Sequence, residues 1–404
     1  MGTSLSQGLS RPAASKLRRE WALAPGVVFL NHGSFGACPK AILERQAALR
    51  RRMEAEPIQF LWRRYEERLE PARTALAEFV GARPRDLVFV TNATAGVNAV
   101  VRSLQLRPGE ELLTTSHDYN ACHNVLVQAA RAAGAGVSVA KVPFPIHREE
   151  DALEAIIAAV TPRTRLALID HVTSNTALVL PAARIIRELE KRGVDTLVDG
   201  AHAPGMVSLN LSRLRPAAYT GNLHKWVCAP KGAAFLWVRR DKQAAVQPAV
   251  ISHGNNTPRP GYHDFQNRFD WAGTFDPTAW FCAGEAIHWM GRLLPGGWRE
   301  LRERNHKLAV QARRLLCEQL GVEPPCPETM LGSMATVPLP ARFQGREPTG
   351  KIDAEQQRLY DEFGIEVPFV RIGTPARRYF RVCAQVYNHR REYEYLGAVL
   401  GRFG

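Results

Sequence analysis

Between residues 86 and 238, seven short apolar runs alternate with longer polar or amphipathic stretches. The runs are DLVFVT (86–91), ELLTT (111–115), VSVAKV (137–142), RLALIDHV (165–172), DTLVDG (195–200), AAYTG (217–221) and AAFLWV (233–238). Between several of them lie AGVNAVVRSLQL, DALEAIIAAV and PAARIIRELEKRG, whose apolar residues recur at helical spacing. Strands alternating with helices predict a mostly parallel sheet covered by helices on both faces. Runs that are apolar almost throughout, rather than at every second residue, fit strands buried on both sides.

The pattern changes after residue 255. HGNNTPRPGYHDFQNRFDWAGTFDPT is rich in Gly, Pro, Asn and Asp and reads as a long irregular segment. Segments of that length usually have a functional role or lack order. Two helical patterns follow, TAWFCAGEAIHWMGRLL and WRELRERNHKLAVQARRLLCEQLG, and then a short α+β tail. The division this predicts is an N-terminal arm (1–26), a large domain (27–255), an irregular segment with a connecting helix (256–289) and a smaller α+β domain (290–404). A chain of 404 residues is long enough for two such cores.

Composition removes several function classes. The net charge of +14 is spread along the chain, with only short clusters such as Arg50, Arg51 and Arg52. No basic helix with base-reading residues and no zinc-finger spacing accompanies it, so a nucleic-acid partner is not expected. No run approaches the roughly 20 apolar residues that cross a bilayer, and the polar N-terminus lacks a signal-peptide core. The opening MGTSLS fits the loose myristoylation pattern, against an Arg-biased composition that argues the other way. Seven scattered cysteines without a CxxC pair argue against a disulfide framework or a zinc site, and for a reducing cytoplasm.

Ligands of open α/β sheets bind at the carboxyl ends of the strands, and polar residues gather there. Thr91, Asn92, Ala93 and Thr94 follow the first run and open a helix, a natural anion site. His117, Asp118 and Tyr119 follow the second, and Asn175 the fourth. Asp199 and His202 follow the fifth; Asn222, His224 and Lys225 follow the sixth. Taken singly, each has an ordinary structural explanation: Thr94 as a helix cap, Asp199 as a turn former, Lys225 as a side chain reaching to water. Lys225 nevertheless stands out in a chain with 9 lysines and 44 arginines. An anion site, an aromatic, an acid, a histidine and a lysine converging on one edge suit an anionic, aromatic, carbonyl-bearing cofactor. Pyridoxal 5'-phosphate fits, since it needs a lysine and an acid to keep its ring nitrogen protonated.

The sequence resembles the class V aminotransferase family of fold-type I pyridoxal-phosphate enzymes, and within it the isopenicillin N epimerase-like branch. FLNHGSFG (29–36), TNATAGVN (91–98), VDGAHAPG (198–205), LHKW with PKG (223–232), WAGTFD (271–276) and FRVCAQVYN (380–388) carry the resemblance, which spans roughly residues 27–395. It implies a mostly parallel seven-stranded sheet with a smaller C-terminal α+β domain, Lys225 as the Schiff-base lysine and Asp199 as the partner of the pyridine nitrogen. His202 and Asn175 would bond the cofactor's phenolic oxygen or the substrate. The Ala93 N–H, Thr94, Asn222 and His224 would hold the phosphate, joined by Thr274 from a second subunit of a homodimer. Arg381 would clamp the substrate α-carboxylate. Either His117 or Tyr119 would stack on the cofactor ring, and Asn31 and His32 would line the substrate pocket. Lys231 would belong to a structural turn.

Three reactions share this cage: epimerisation at Cα of an amino acid, C–S β-elimination of the hercynylcysteine sulfoxide lyase kind, and transamination. Epimerisation is the expectation from the family branch, with His117 or Tyr119 acting across from Lys225. The nucleophilic cysteine of cysteine desulfurases has no counterpart in GIEVPFVRIGTPARRYFR (364–381), and Cys383 reads as a small buried residue. Arg51, Arg52, Arg63, Arg64, Arg371, Arg377 and Arg378 are candidates for binding a distal carboxylate, or ordinary surface arginines. A non-catalytic protein on the same fold is the alternative of another class; a regulator of that kind carries an N-terminal DNA-binding domain, for which the 28 residues before the fold leave no room.

Overall fold

The computed structural model describes residues 10–345 and 352–403, so the myristoylation-like opening lies outside the described residues. Strand β1 (Val28–Phe29) is followed by β2 (Leu87–Val90), β3 (Glu111–Thr115), β4 (Gly136–Ala140), β5 (Thr164–Asp170), β6 (Asp195–Asp199), β7 (Ala218–Asn222) and β8 (Ala234–Val238). Strands β9 (Met334–Pro338), β10 (Ile365–Glu366), β11 (Phe369–Ile372) and β12 (Arg377–Cys383) come later. All seven apolar runs enter one sheet, in the order β2-β8-β7-β6-β5-β3-β4. Only β8 runs against the others. Every residue of β2, β7 and β8 is buried, as strands covered on both faces require.

Helices Ala93–Arg102 and Asn120–Ala133 pack on the sheet as amphipathic covers. The first begins directly after β2, where the Asn92 side chain accepts the Ala95 N–H at 2.8 Å. Its free N–H groups therefore open at the carboxyl edge of the sheet. The parallel strands β2, β3, β5, β6 and β7 all end at that same edge.

Behind the sheet, β11, β12 and β9 form an antiparallel three-stranded sheet. Helices Gly297–Leu320 and Arg390–Arg402 pack on it through the same apolar cluster. Parallel pairing of β1 with β10 ties the N-terminal segment to this part of the chain. Within the stretch expected to be irregular, residues Asp264–Asp270 form a helix. It is held by the buried Arg73 guanidinium, which reaches Asp270 at 2.7 Å and the Leu87 carbonyl at 2.6 Å. No helix among the described residues is long and apolar enough to cross a membrane. All seven cysteines are buried and free.

Candidate active site

A cavity of about 360 Å³ opens at the carboxyl edge of the sheet. Its floor carries Asp170 and Asp199 from the ends of β5 and β6; Asn222, His224 and Lys225 come from the end of β7. Asn92, Ala93 and Thr94 at the helix start, Tyr119 beyond β3, and His202 and Ser174 complete its walls. The sequence-predicted lysine, acid, anion site, histidine and tyrosine therefore meet in one place.

Lys225 is 9% exposed, and its Nζ lies 3.0 Å from His202 Nε2. The Trp226 indole N–H makes a long contact to His202 Nδ1, at 3.5 Å. An indole nitrogen can only donate. Nδ1 of a neutral His202 therefore accepts, and the ring proton sits on Nε2, facing the lysine. Burial holds His202 neutral, well below the usual imidazole range, with the Lys225 charge adding to the effect. Burial, and secondarily the Arg381 charge, lower the Lys225 pKa to about 8. Above about pH 8 the amine is therefore neutral, with the His202 Nε2–H beside it as a hydrogen-bond donor.

Two carboxyl groups lie below. Asp199 accepts the Ala201 N–H at 2.9 Å and the Cys122 thiol at 3.2 Å. Burial raises its pKa above the ordinary carboxylate value. Asp170, a residue that sequence reading passed over, sits opposite Asp199 in the strand register and is raised further. The available signal was an acid ending an otherwise apolar strand.

The phosphate candidates form a partly preassembled cup. The Asn222 side chain accepts the Ala93 N–H at 2.8 Å, and His224 Nδ1 is bonded to the Ala233 carbonyl at 3.1 Å. Thr94 lines the cavity at the helix start. Arg381, buried on β12, donates to the Ser174 carbonyl (2.6 Å), the Ser34 hydroxyl (3.1 Å) and Asn31 Oδ1 (3.3 Å). Among the described residues no carboxylate pairs with it, and its buried Nε has no partner.

Other expected residues lie elsewhere. His117 and Tyr119 separate: Tyr119 lines the cavity and is 48% exposed, whereas His117 is absent from its walls. Both His117 ring nitrogens are engaged, by Thr176 Oγ1 at 2.9 Å and the Val142 carbonyl at 3.1 Å. Burial lowers its pKa to about 4. The expectation that Asn31 and His32 line the pocket needs correction. His32 is fully buried between the Tyr387 hydroxyl (2.7 Å) and the Lys225 carbonyl (2.9 Å), fixing the backbone that carries the lysine. Asn31 bonds Glu366 and stands behind Arg381. Asn175 is exposed beside Ser174, and Thr274 is exposed outside the cavity of its own chain. Lys231 donates to the Gly36 carbonyl, a structural tie. None of the seven candidate distal arginines lines the cavity, and Arg378 is buried against Asp353 and Glu355.

A buried amine with a lowered pKa, a floor of two carboxyl groups and a helix N-terminus at the end of a parallel sheet suit pyridoxal phosphate. A family model, Aminotransferase class-V, matches residues 37–342, and the chain belongs to that family of pyridoxal-phosphate-dependent enzymes. Isopenicillin N epimerase of Amycolatopsis lactamdurans is 35% identical over 402 residues, spanning 96% of this chain and 98% of that protein. Putative L-cysteine desulfhydrase 1 of Oryza sativa subsp. japonica is 29% identical, over 95% of this chain and 85% of that protein. Among solved structures, the cystine C–S lyase C-DES in complex with cysteine persulfide superposes with a TM-score of 0.77 at 22% identity, covering 94% of this chain and 98% of that one. The unpaired Arg381 Nε, the buried lysine and the carboxyl floor fit pyridoxal 5'-phosphate joined to an amino acid.

Proposed function

We propose that this enzyme epimerises an amino acid at Cα. The observation that carries the reading is that Lys225 and Tyr119 enter one cavity from β7 and β3, with β6 and β5 and their carboxyl groups between them. When bound, pyridoxal phosphate acidifies the Cα–H of an amino acid joined to it. Lys225, a neutral amine above its lowered pKa, takes that proton on one face. The Tyr119 hydroxyl returns a proton on the other. Arg381 binds the α-carboxylate through its fork, held in place by Asn31, Ser34 and Ser174. Asp199 would hold the ring nitrogen, and His202 and Asn175 would serve the phenolic oxygen. The helix start at Ala93 and Thr94, with Asn222 and His224, holds the phosphate. Tyr119 would take the ring-facing place, since it lines the cavity and His117 does not. Thr274 completes the phosphate cup of the partner in a homodimer.

β-Elimination at a sulfur-bearing side chain is the second reading. The observation favouring it is the same tyrosine, which stands half exposed at the cavity mouth, where a departing sulfur would need an acid. Similarity to proteins described as L-cysteine desulfhydrases supports it as well.

Proton NMR in heavy water, with L-amino acids and S-substituted cysteines, tests both. Deuterium at Cα with an intact side chain and accumulation of the D-isomer is the expected result. Keto acid with loss of a sulfur fragment would replace it with the lyase. Lys225→Ala is expected to lower turnover by about 10²–10⁴-fold or more, and borohydride should fix the cofactor on Lys225, read by peptide mass.

A further inference from the structure

Asp170 has no role in the reaction described above, yet it is buried, ionisable and on the cavity floor. Strands β5 and β6 run parallel, and their registers place Asp170 directly opposite Asp199. Both side chains therefore leave the sheet toward the same face at neighbouring positions. They are 4% and 3% exposed.

Their surroundings differ. Asp199 accepts two hydrogen bonds, from the Ala201 N–H and the Cys122 thiol, so its charged form is solvated by the protein. Asp170 has no side-chain partner among the described residues; its carboxyl is bonded only by its own backbone N–H. The charged and titratable groups around the pair are Asp118, from beyond β3, Lys225, from the end of β7, the Cys122 thiol and the Tyr219 hydroxyl; burial and the neighbouring carboxyl groups raise the pKa of the last two, which keeps them neutral. Asp118 is already occupied by Thr114 and His123, at 2.9 and 2.8 Å. Among the described residues, no arginine and no lysine other than Lys225 lines the cavity. Two neighbouring buried carboxyl groups with one counter-charge disfavour double ionisation, and the less solvated one keeps the proton.

We propose that Asp170 is a positioning residue that stays protonated in the folded enzyme, leaving Asp199 as the single carboxylate under the cofactor's ring nitrogen. The arrangement matches one negative charge to one ring cation; a second ionised carboxyl would leave an unpaired buried charge. The inference rests on the cofactor reading for its purpose, but its central claim concerns a proton in the protein alone.

The linkage is direct. In the unfolded chain Asp170 ionises near the ordinary carboxylate value, whereas the folded protein retains its proton. Above about pH 5 the native state then holds one more proton than the unfolded state at this position, and stability falls as pH rises. The unfolding equilibrium constant shifts about tenfold per pH unit from this group, until the pH passes its folded pKa. Asp170→Asn removes the titration while keeping size and polarity. Denaturant unfolding of the full-length apoenzyme and holoenzyme, wild type against Asp170→Asn, is measured at successive pH values between about 5.5 and 8.5. The variant's stability relative to wild type should grow about tenfold in the equilibrium constant for each pH unit, in both forms. A difference independent of pH would overturn the proposal, because Asp170 would then be ionised in the native state. A slope present in the apoenzyme but absent in the holoenzyme would also overturn it, since the proton would have passed on when the cofactor bound. Asp170→Ser repeats the comparison if the asparagine variant folds poorly. Failure of the cofactor reading shows elsewhere, as absence of colour and of borohydride fixation at Lys225.

Discussion

Lys225 illustrates how a few contacts convert an ordinary surface residue type into a base. Burial disfavours its ammonium form, the neighbouring Arg381 charge adds to that, and the His202 Nε2–H offers the neutral amine a hydrogen bond. With the pKa near 8, the reactive amine fraction rises about tenfold per pH unit below that value and levels off above it. The rate at which apoenzyme combines with pyridoxal phosphate, followed by absorbance, should follow the same curve. A plateau only above about pH 10 would mean that Lys225 titrates as an exposed lysine does. Arg381 permits a second test at this scale. Arg381→Lys keeps the charge but loses the fork and its three neutral anchors. The expected cost is about 1.5–3 kcal/mol of carboxylate binding, roughly 10–150-fold in KM, with a much smaller change in the cofactor spectrum.

At the scale of elements, the site depends on segments that touch no ligand. The turn at 31–36 lies against the lysine loop so closely that a Cβ on Gly36 would stand 2.0 Å from the His224 carbonyl. Gly36 also has φ of +71°, where a side chain is strained. Gly36→Ala is therefore expected to displace His224 and Lys225 together. It should cost at least about 1–3 kcal/mol of stability by urea unfolding and weaken cofactor retention on dialysis. The helix at Asp264–Asp270 packs Phe265 and Phe269 into the core and is anchored by buried charge as well. Arg73 and Asp270 are both almost wholly buried, and Arg259 also reaches Asp270 at 2.7 Å. Arg73→Ala leaves Asp270 without its buried partner and should cost about 3–5 kcal/mol by the same measurement. The seven sheet strands were legible in the sequence, because burial on both faces leaves continuous apolar runs; of the helices between them, three amphipathic ones were legible, and the helix at Asn120–Ala133 was not. The helix at Asp264–Asp270 was not legible, because the Arg73 that stabilises it lies 197 residues away.

For the molecule as a whole, one surface feature bears on assembly. Phe35, Ile58, Trp62, Tyr119, Val250 and Ile251 are large apolar side chains left 48–75% exposed. Phe35 and Tyr119 lie at the cavity mouth. Two such side chains beside the opening suit contact with another protein surface, in keeping with the proposed homodimer and with Thr274 serving a neighbouring site. Analytical ultracentrifugation should give twice the 44.9 kDa of the chain. Mixing Lys225→Ala with Thr274→Ala chains should restore a site of fully native composition in mixed dimers, with activity above that of either variant. A monomer, or mixtures no more active than their components, would remove Thr274 from the shared site.

The sequence by itself determined the sheet and the polar residues gathered at its carboxyl edge, while the roles expected of Lys225, Asp199 and Arg381 came from the family resemblance. The edge residues are encoded locally, by an apolar run and the polar residue that ends it. It left open whether His117 or Tyr119 faces the cavity, because two residues at one strand end differ only in which way the chain turns next. Tertiary structure separated them, giving the histidine nitrogens to Thr176 and Val142 and leaving the tyrosine at the opening. The same holds for His32, which became a brace for the lysine loop, and for Asp170, whose meaning appears only beside Asp199. Proton state, orientation and pairing depend on neighbours that are distant along the chain, so only the packed molecule decides them.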